Sequence, residues 1–587
     1  MSLFLTLLLS FAQNPAPNPP VPPPSPLQQA GQFLRQGQND QAIAVLEPLV
    51  EAEPTNAAAW YWLGFCYHAN RDWPKAIPAH EKAAGFPQTA ANASYNLACA
   101  WALQADADKA FEWLGKARTA GFSAWGQLWS DADLSSLRAD PRFENFAPPP
   151  PDFDNPFVEP TNVLFAWHGE NANDQFGWVA SDAGDIDGDG IHDVITSAPF
   201  LKLPTSPKTP AGRVYLYSGR TGKELRRHTG QPFDTLGLAV AGVGDLDGDG
   251  FGDYAATAPR TSDLKRPGGV LVWSGASGKL LFEMKGEKVG DGFGREVRGM
   301  FDCNRDGVTD LLVGSPLANG GAGMVSGHSG KDGSLLWSKN GSGANDSFGS
   351  TVSSGRNTGG ILDEAEGTAP LMVVGAMNAG AGQRGQVIVY RYVNRNMGIV
   401  EHFRVEAEAN NVNYGRFFSS VIGDLNGDKV DDIYSVDFES NTGGAGSGQI
   451  RLHSGVDGKL LWKRDGAAGE GLGIGNAIAG DANGDGFDDV ITGAWTNSNG
   501  APSGGRCYLL SGIDGAVLRT WTCNLANATM GFDSTSLPDC NADGQRDFLF
   551  TAAWTSVQGP QTGSVYLVAA DAVESTGEEA RAESDSR

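Results

Sequence analysis

The chain has 587 residues, of which 43 are Lys or Arg and 69 are Asp or Glu, so its formal net charge at pH 7 is −26. This acidic excess disfavours sequence-independent binding to nucleic acid or anionic lipid, and we expect no nucleic-acid partner. The 79 glycines and the charged fraction of only 19% argue against long helical arrays and general disorder, and they favour a turn-rich β architecture.

The N-terminus has the pattern of an export signal. Residues 3–11 form a short apolar run, and Ser10 and Ala12 place small residues at a cleavage site, which predicts a signal peptide over residues 1–12. No Lys or Arg precedes the run, so the start codon and the cleavage site stay open. No later stretch has the ~18 consecutive apolar residues of a membrane span. We therefore expect an exported protein without a membrane span, located in the periplasm, at the cell surface or outside the cell.

Residues 27–146 carry a helical repeat. Ala42, Ala76 and Ala110 recur at intervals of 34 residues, a period typical of helix–turn–helix repeats. The second and third units carry the large and small residues of that repeat at Trp60, Leu63, Gly64, Tyr67, Ala76 and Ala83, and at Leu97, Ala98, Trp101, Ala110 and Ala117. The segment thus resembles tetratricopeptide repeats, which implies an all-α solenoid of about three units. Two interpretations stay open: a groove that docks a peptide or protein, and a capped helical spacer.

The remaining flanks are of low complexity. Proline-rich residues 13–26 and 147–160 predict extended linkers, and residues 571–587 predict a disordered acidic tail. Six cysteines are too few to define the fold. Cys507 and Cys523 flank a predicted hairpin, which leaves a disulfide between them open.

Residues 161–570 carry a longer β repeat. Its units open at Phe176, Leu236, Phe293, Phe348, Phe417, Leu472 and Met530. Each unit contains short β-like runs separated by glycine turns, which predicts a propeller of seven four-stranded blades. The seventh unit lacks its outer strand, and an orphan strand of that type begins at Asn162. We expect this strand to complete the seventh blade and to join the two ends of the ring.

Six of the seven units carry a nine-residue acidic loop. Side-chain oxygens at positions 1, 3, 5 and 9, with a backbone carbonyl from position 7, can surround Ca²⁺, and a glycine at position 6 allows the turn. The absence of His and Cys from the pattern argues against zinc or copper in these loops. The candidate ligands are Asp185, Asp187, Asp189, Ile191 and Asp193; Asp245, Asp247, Asp249, Phe251 and Asp253; Asp302, Asn304, Asp306, Val308 and Asp310; Asp424, Asn426, Asp428, Val430 and Asp432; Asp481, Asn483, Asp485, Phe487 and Asp489; and Asp539, Asn541, Asp543, Gln545 and Asp547.

The loops predict up to six Ca²⁺ ions, with differences between sites. The alternative is a set of Asx-turns that hold the strand connections by hydrogen bonds alone. Lys429 stands where the other loops have glycine, so we expect the loop at Asp424 to be the weakest site. The fourth unit has acids at Asp363, Glu364 and Glu366 without the spacing, and we assign no metal there.

Openings such as FGWVA, FGREV and FGSTV, the acidic loops, and endings such as ITSAP and AATAP resemble FG-GAP repeats, the blades of the integrin α-subunit propeller and its bacterial relatives. The resemblance implies a seven-bladed propeller with Ca²⁺ in the loops on one face and partner binding on the opposite face. The fold class is therefore multidomain, an all-α tetratricopeptide solenoid followed by an all-β propeller.

The sequence nominates no catalytic or cofactor-binding residue. Its eight His show no paired metal-ligand spacing, and no P-loop or nucleophile elbow is present. Glycine turns such as SGVDGK precede outer-strand aromatics, among them Phe282, Trp337 and Trp462, which we expect to wedge between blades. The favoured function is an exported, calcium-binding, non-enzymatic scaffold or adhesion protein with a protein or glycan partner. The alternative is an extracellular hydrolase or lyase acting on polysaccharide or lipid.

Overall fold

The computed structural model describes residues 25–129, 131–146, 151–260, 262–263, 265–355, 370–394 and 398–570. The predicted signal peptide, nearly all of the first linker, the acidic tail and the acids of the fourth unit lie outside these residues. The chain divides into two compact units, Met1–Pro151 and Asp152–Arg587. Among the described residues, no helix combines the length and the apolar character that crossing a bilayer requires.

The first unit is helical. Its helices are α1 (Pro26–Arg35), α2 (Asn39–Ala52), α3 (Ala57–Ala69), α4 (Trp73–Ala84), α5 (Ala90–Leu103) and α6 (Ala107–Thr119), and 3-10 helices follow at Trp125–Trp129, Ala132–Leu137 and Pro141–Asn145. The periodic residues Ala42, Ala76 and Ala110 are all 0% exposed, because small side chains let the paired helices approach closely. The predicted tetratricopeptide-like solenoid is confirmed.

The 3-10 segment after α6 packs back onto the last helix pair. Leu128 and Leu134 are fully buried in one apolar cluster with Tyr95 of α5, and the rings of Tyr95 and Phe122 stack with centroids 4.4 Å apart. One side of α5 is therefore covered by the chain itself.

The second unit is a propeller of seven four-stranded antiparallel sheets. The strands of blades 1 to 7, in sheet order, are Ala180–Gly184, Asp193–Ala198, Arg213–Tyr217 and Glu224–Thr229; Val240–Gly244, Asp253–Ala258, Gly269–Trp273 and Leu280–Lys285; Glu296–Met300, Asp310–Ser315, Met324–His328 and Leu335–Asn340; Phe348–Ser354, Leu371–Ala376, Gln386–Asn394 and Gly398–Glu406; Ser420–Gly423, Asp432–Asp437, Gln449–His453 and Leu460–Asp465; Leu472–Gly480, Asp489–Ala494, Arg506–Leu510 and Val517–Thr522; and Ser534–Leu537, Asp547–Ala552, Ser564–Val568 and Val163–His168. Short extra elements lie at Lys202–Leu203, Ser206–Pro210, Ala318–Gly321 and Ala381–Gln383.

The seventh blade closes the ring as predicted. The strand Val163–His168 pairs antiparallel with Ser564–Val568 and supplies the outer strand of that sheet. The residues just before it also contact the propeller, since Phe157 is buried and bridges Cys523, and the Glu159 carboxylate accepts the backbone N–H of Thr522 at 2.6 Å. Residues from both ends of the propeller segment thus share one sheet.

Outer-strand aromatics join neighbouring blades. Trp462 of blade 5 donates its Nε1–H to the carbonyl of Gly512 at 2.7 Å, in the turn between the third and outer strands of blade 6. A Cβ on Gly515 would lie 2.7 Å from the same ring, and a Cβ on Gly333 would lie 2.8 Å from Phe282. The glycines leave room for the aromatics, and the predicted structural role of these turns is confirmed.

One detail differs from the sequence-based expectation, and a second concerns a disulfide that the sequence left open. The fifth blade opens at Tyr414, whose bridge to Gly385 repeats the one between Phe348 and Gly323 in the previous blade, whereas the sequence prediction placed the opening at Phe417. Tyr414 is fully buried and donates its hydroxyl to Ser435 Oγ at 2.6 Å. All six cysteines are free thiols, so the Cys507–Cys523 disulfide is not formed.

Candidate metal centres

All six acidic loops occupy one structural position, the connection between the first and second strands of a blade. The aspartate at loop position 9 is always the first residue of the second strand. These six side chains, in Asp193, Asp253, Asp310, Asp432, Asp489 and Asp547, are all 0% exposed. The loops therefore lie together at one end of the propeller, each with a buried carboxylate beneath it.

The aspartate at position 1 organises the turn. Asp185 accepts the backbone N–H of Gly188 at 2.7 Å through one oxygen and that of Gly190 at 2.9 Å through the other. The carboxylate of Asp189 then accepts the N–H of Ile191 at 2.9 Å. The other five loops repeat the bonds to the amides at positions 6 and 7, for example at Gly250. The Asx-turns of the alternative interpretation are thus present together with the acidic side chains.

The aspartate at position 9 ties its loop to a second turn of the same blade. Asp193 accepts the N–H of Ile186 at 2.9 Å and, through its other oxygen, the N–H of Gly219 at 3.0 Å. Gly219 belongs to the turn between the third and outer strands. Burial raises the pKa of Asp193 to about 7, and the neighbouring Asp187 and Asp189 add to the rise by charge repulsion. Four more blades repeat the second bond, through the amides of Gly275, Gly330, Gly455 and Gly512.

The first two loops gather their carboxylates closely enough for one ion. One oxygen each from Asp185, Asp187 and Asp193 lie within 4.8 Å of one another, and the equivalent oxygens of Asp245, Asp247 and Asp253 do the same. A Ca²⁺ ion with bonds of ~2.4 Å requires ligand oxygens no farther apart than about twice that length. Repulsion between these carboxylates favours a bound cation. The donor set of both loops therefore fits calcium.

The four loops with Asn at position 3 are arranged differently. Their Asn Nδ2 groups donate to a carboxylate of the same loop, at 3.1 Å from Asn304 to Asp306 and 2.9 Å from Asn483 to Asp485. Asn541 repeats this contact with Asp543 at 2.9 Å, whereas Asn426 donates instead to the position-9 carboxylate of Asp432 at 3.1 Å. The amide thus provides part of the charge compensation that a cation would supply to the first two loops.

Comparison with known proteins agrees with this geometry. Residues 177–217 match the FG-GAP repeat and residues 27–89 match a tetratricopeptide repeat. The first blade is thus similar to an FG-GAP repeat. Integrin alpha-5 of Xenopus laevis is 32% identical over 168 residues, and integrin alpha-IIb of Homo sapiens is 34% identical over 169 residues. These matches cover 26% and 27% of this chain but only 16% of each integrin chain, so this chain spans only a small part of the curated relatives it matches.

Two features of the acidic loops were not predicted from the sequence. Position 4 adopts left-handed backbone in every loop, with φ of 61° at Arg305 and 65° at Ala542 where the other four loops have glycine. The double hydrogen bond of the position-9 aspartate was also missed. The left-handed backbone could have been predicted from the frequent glycine at position 4. The double hydrogen bond could not, because its second amide is distant in sequence: Gly219 lies 26 residues from Asp193.

Lys429, in the loop at Asp424, adopts the left-handed backbone that glycine adopts at the same position of other loops. It has φ of 70°, while the glycines at the same position, such as Gly190 and Gly250, have φ of 85° and 89°. We predict that Lys429→Gly stabilises the propeller by about 0.5–1 kcal/mol. The substitution removes the ~1–2 kcal/mol cost of left-handed backbone at a residue with a Cβ, and the greater entropy of glycine in the unfolded chain offsets part of this gain. Denaturant unfolding measures the change. Lys429→Ala removes the charge but keeps the Cβ, and an equal gain from it would show that charge rather than backbone strain is responsible.

His192, inside the first loop, takes part in an ion pair. Its Nδ1 lies 2.8 Å from the carboxylate of Asp182, and this contact raises the pKa of His192. The pairing gives this side chain a structural partner.

The opposite end of the propeller carries half-buried aromatic rings. We call Trp178, Trp495, Phe532 and Trp554 the aromatic face; each precedes a first strand or follows a second strand, at the end away from the acidic loops. The Phe532 and Trp554 rings lie 4.8 Å apart, Trp178 and Phe532 4.9 Å, and Trp495 and Trp554 6.0 Å. Four aromatics from three blades thus form one partly exposed surface.

Charged residues surround this surface. Arg295 and Arg416 both lie over the ring of Phe417, at 4.8 and 5.0 Å from its centroid. Arg298 pairs with Glu296 at 3.0 Å. Most of these charges are held in pairs or against aromatic rings.

Proposed function

We propose that the chain is an exported, calcium-binding, non-enzymatic scaffold or adhesion protein whose FG-GAP propeller binds a protein or glycan partner. The supporting observation is the repeated acidic loop, in which three carboxylates converge within 4.8 Å in blades 1 and 2. The similarity to integrin α subunits and the tetratricopeptide repeats favour a role in protein–protein interaction. Ca²⁺ would fill the loops at one end and leave the other end free for the partner.

The ranking of the six sites follows from their donors. We assign the tightest binding to the loops at Asp185 and Asp245, which have four carboxylates each, and the weakest to the loop that contains Lys429. None of the loops has the bidentate Glu of an EF-hand at position 12, so affinities of about 10⁻⁴–10⁻³ M, as in extracellular modules, are expected. Such sites are occupied outside the cell, which is consistent with export.

The aromatic face is our candidate docking surface. Half-buried Trp and Phe rings are enriched at binding hot spots because they bury a large area at a small entropy cost. Partner capture from an envelope or matrix extract, with and without Ca²⁺, tests the proposal. Trp554→Ser should reduce capture at least ~30-fold, which corresponds to the ≥ 2 kcal/mol of a hot spot. Ile513→Ser, at a residue 49% exposed in a turn between the third and outer strands, is the matched control and should retain capture.

A cluster of charged residues near the aromatic face allows the enzymatic alternative to be tested. Arg295, Glu296, Arg298 and Asp533 lie near the aromatic face, and burial raises the pKa of Asp533 to about 6. The carboxylate of Asp533 accepts the backbone N–H of Ala180 at 3.1 Å, and Glu296 is paired with Arg298, so both acids have structural roles. Turnover on a panel of polysaccharides and lipids that is abolished in Asp533→Asn would favour the hydrolase. Partner capture without turnover would favour the scaffold.

A further inference from the structure

A second cluster of metal-ligating side chains lies in the helical unit, within the first of the chain's two compact units. It comprises His68 of α3, Cys99 of α5, and Asp131 and Asp133 at the start of the 3-10 helix Ala132–Leu137. The Cys99 Sγ and one oxygen each of Asp131 and Asp133 lie within 4.8 Å of one another. The Nε2 of His68 lies 3.1 Å from the carboxylate of Asp133. Three separate elements thus bring a thiol, an imidazole and two carboxylates together.

The spacing fits a tetrahedral ion. With Zn–S bonds of ~2.3 Å and Zn–N or Zn–O bonds of ~2.0 Å, neighbouring ligands of a tetrahedral site are about 3.3–3.5 Å apart. The observed Cys99 Sγ to Asp131 Oδ2 distance is 3.7 Å, and the His68 Nε2 to Asp133 Oδ2 distance is 3.1 Å. Cys99, Asp131 and Asp133 already converge within 4.8 Å, whereas His68 contacts only Asp133 among these three, so its ring would have to move toward the ion as the fourth ligand.

The surroundings also match those of a metal site. Tyr95 donates its hydroxyl to Asp131 Oδ2 at 2.6 Å, the kind of outer contact that orients a ligating carboxylate. His80 of α4 is 0% exposed, and neither of its ring nitrogens has a hydrogen-bond partner among the residues that the structure describes. Its ring meets that of His68 edge-on, with centroids 5.8 Å apart. Buried polar groups without partners are rare, and this one adds a nitrogen donor beside the four ligands.

We propose that this cluster binds a single Zn²⁺ ion through His68, Cys99, Asp131 and Asp133. Binding removes the thiol proton of Cys99 to solvent, because the thiolate is the ligand. Four protein ligands leave no open position, so the site is structural rather than catalytic. The ion fixes the 3-10 helix to α3 and α5 and holds the cover over the last helix pair. The site is independent of the calcium loops and of the proposed partner binding.

Cobalt substitution tests the proposal on the full chain. The protein is saturated with Ca²⁺, which fills the oxygen-rich loops, and titrated with Co²⁺. We expect one equivalent to produce a thiolate-to-cobalt charge-transfer band and the intense visible bands of a tetrahedral site, and one equivalent of Zn²⁺ to abolish them. Cys303 and Cys540 lie at position 2 of two acidic loops, outside the ligand positions, so a band from the helical unit is identified by its loss in Cys99→Ser. Absence of that band from the wild-type protein would overturn the proposal without requiring any variant to fold.

Variants locate the site. Cys99→Ser should remove the charge-transfer band and lower Zn²⁺ affinity at least ~100-fold in competition with a chromophoric chelator, since loss of a ligand exceeds the 10–100-fold effect of an outer-shell change. Cys66→Ser, at the other buried thiol of the helical unit, is the matched control and should keep both. His68→Gln should weaken binding while it keeps the band. A band that persists in Cys99→Ser or disappears in Cys66→Ser would contradict the assignment.

Discussion

Removal of calcium is expected to lower the melting temperature of the propeller by about 10 °C. At ~1 mM Ca²⁺ and a Kd of ~0.1 mM, each site that forms only in the folded state contributes about 1.4 kcal/mol, and six independent sites contribute roughly 8 kcal/mol. A domain of this size loses a degree or two per kcal/mol. Thermal unfolding with excess Ca²⁺ and with a calcium chelator measures the difference.

The loop variants sharpen this experiment. Asp187→Asn and Asp247→Asn together should remove a substantial part of the calcium effect, because they reduce the charge of the two loops in which the carboxylates converge. Asn304→Ala and Asn483→Ala should remove less, since those amides already compensate a carboxylate of their own loop. An unchanged melting temperature after chelation of the wild-type protein would contradict the stabilising role of calcium.

Asp253→Ala is expected to destabilise the propeller by about 3–6 kcal/mol even without calcium. The carboxylate accepts two backbone amides, from Leu246 and from Gly275, both at 2.8 Å, and it is fully buried. Each hydrogen bond to a charged acceptor contributes ~1.5–3 kcal/mol, and the amides left behind would be buried and unsatisfied. Denaturant unfolding in chelator at pH 8, where Asp253 is ionised, measures the loss.

Asp249→Asn is the matched control for this prediction. Asp249 is an exposed candidate ligand of the same loop, and its carboxylate accepts only the amide of Phe251, a bond that the Asn oxygen preserves. It should lower stability in Ca²⁺ and leave it within ~0.5 kcal/mol of wild type in chelator. If both variants behaved alike in chelator, the position-9 aspartate would be a ligand and not a structural link between turns.

The architecture could be predicted from the sequence because its signals are periodic. The alanine interval gave the helical pairs, and the seven openings with one orphan strand gave the blade number and the closure. The fifth opening was misplaced because Phe417 and Phe418 form the more apolar pair, whereas the structure selects the aromatic that precedes a glycine with positive φ, namely Tyr414 before Gly415. Position relative to glycine decides the register more firmly than hydrophobicity does.

The candidate sites were predictable only where their residues are close in sequence. The acidic loops lie within nine residues and show their spacing directly. The link from Asp193 to Gly219 spans 26 residues and depends on how a blade folds. The cluster of His68, Cys99 and Asp131 has no local spacing at all, because it forms only when the 3-10 segment packs against two helices. Sequence distance therefore limited what could be inferred about function.

The closing strand has a consequence for how the protein is made. His168 and Ser564 are 396 positions apart, yet their side chains lie 2.9 Å from each other in the sheet that seals the ring. During synthesis the seventh sheet cannot form until the strand Ser564–Val568 has emerged. Until then, the strand Val163–His168 has no partner strand to pair with. The entropy of closing so long a loop grows only slowly with length, but the delay is long compared with the folding of a single blade. Ring closure should therefore be the last folding step. Chains whose synthesis is interrupted before that step should expose unpaired strand edges.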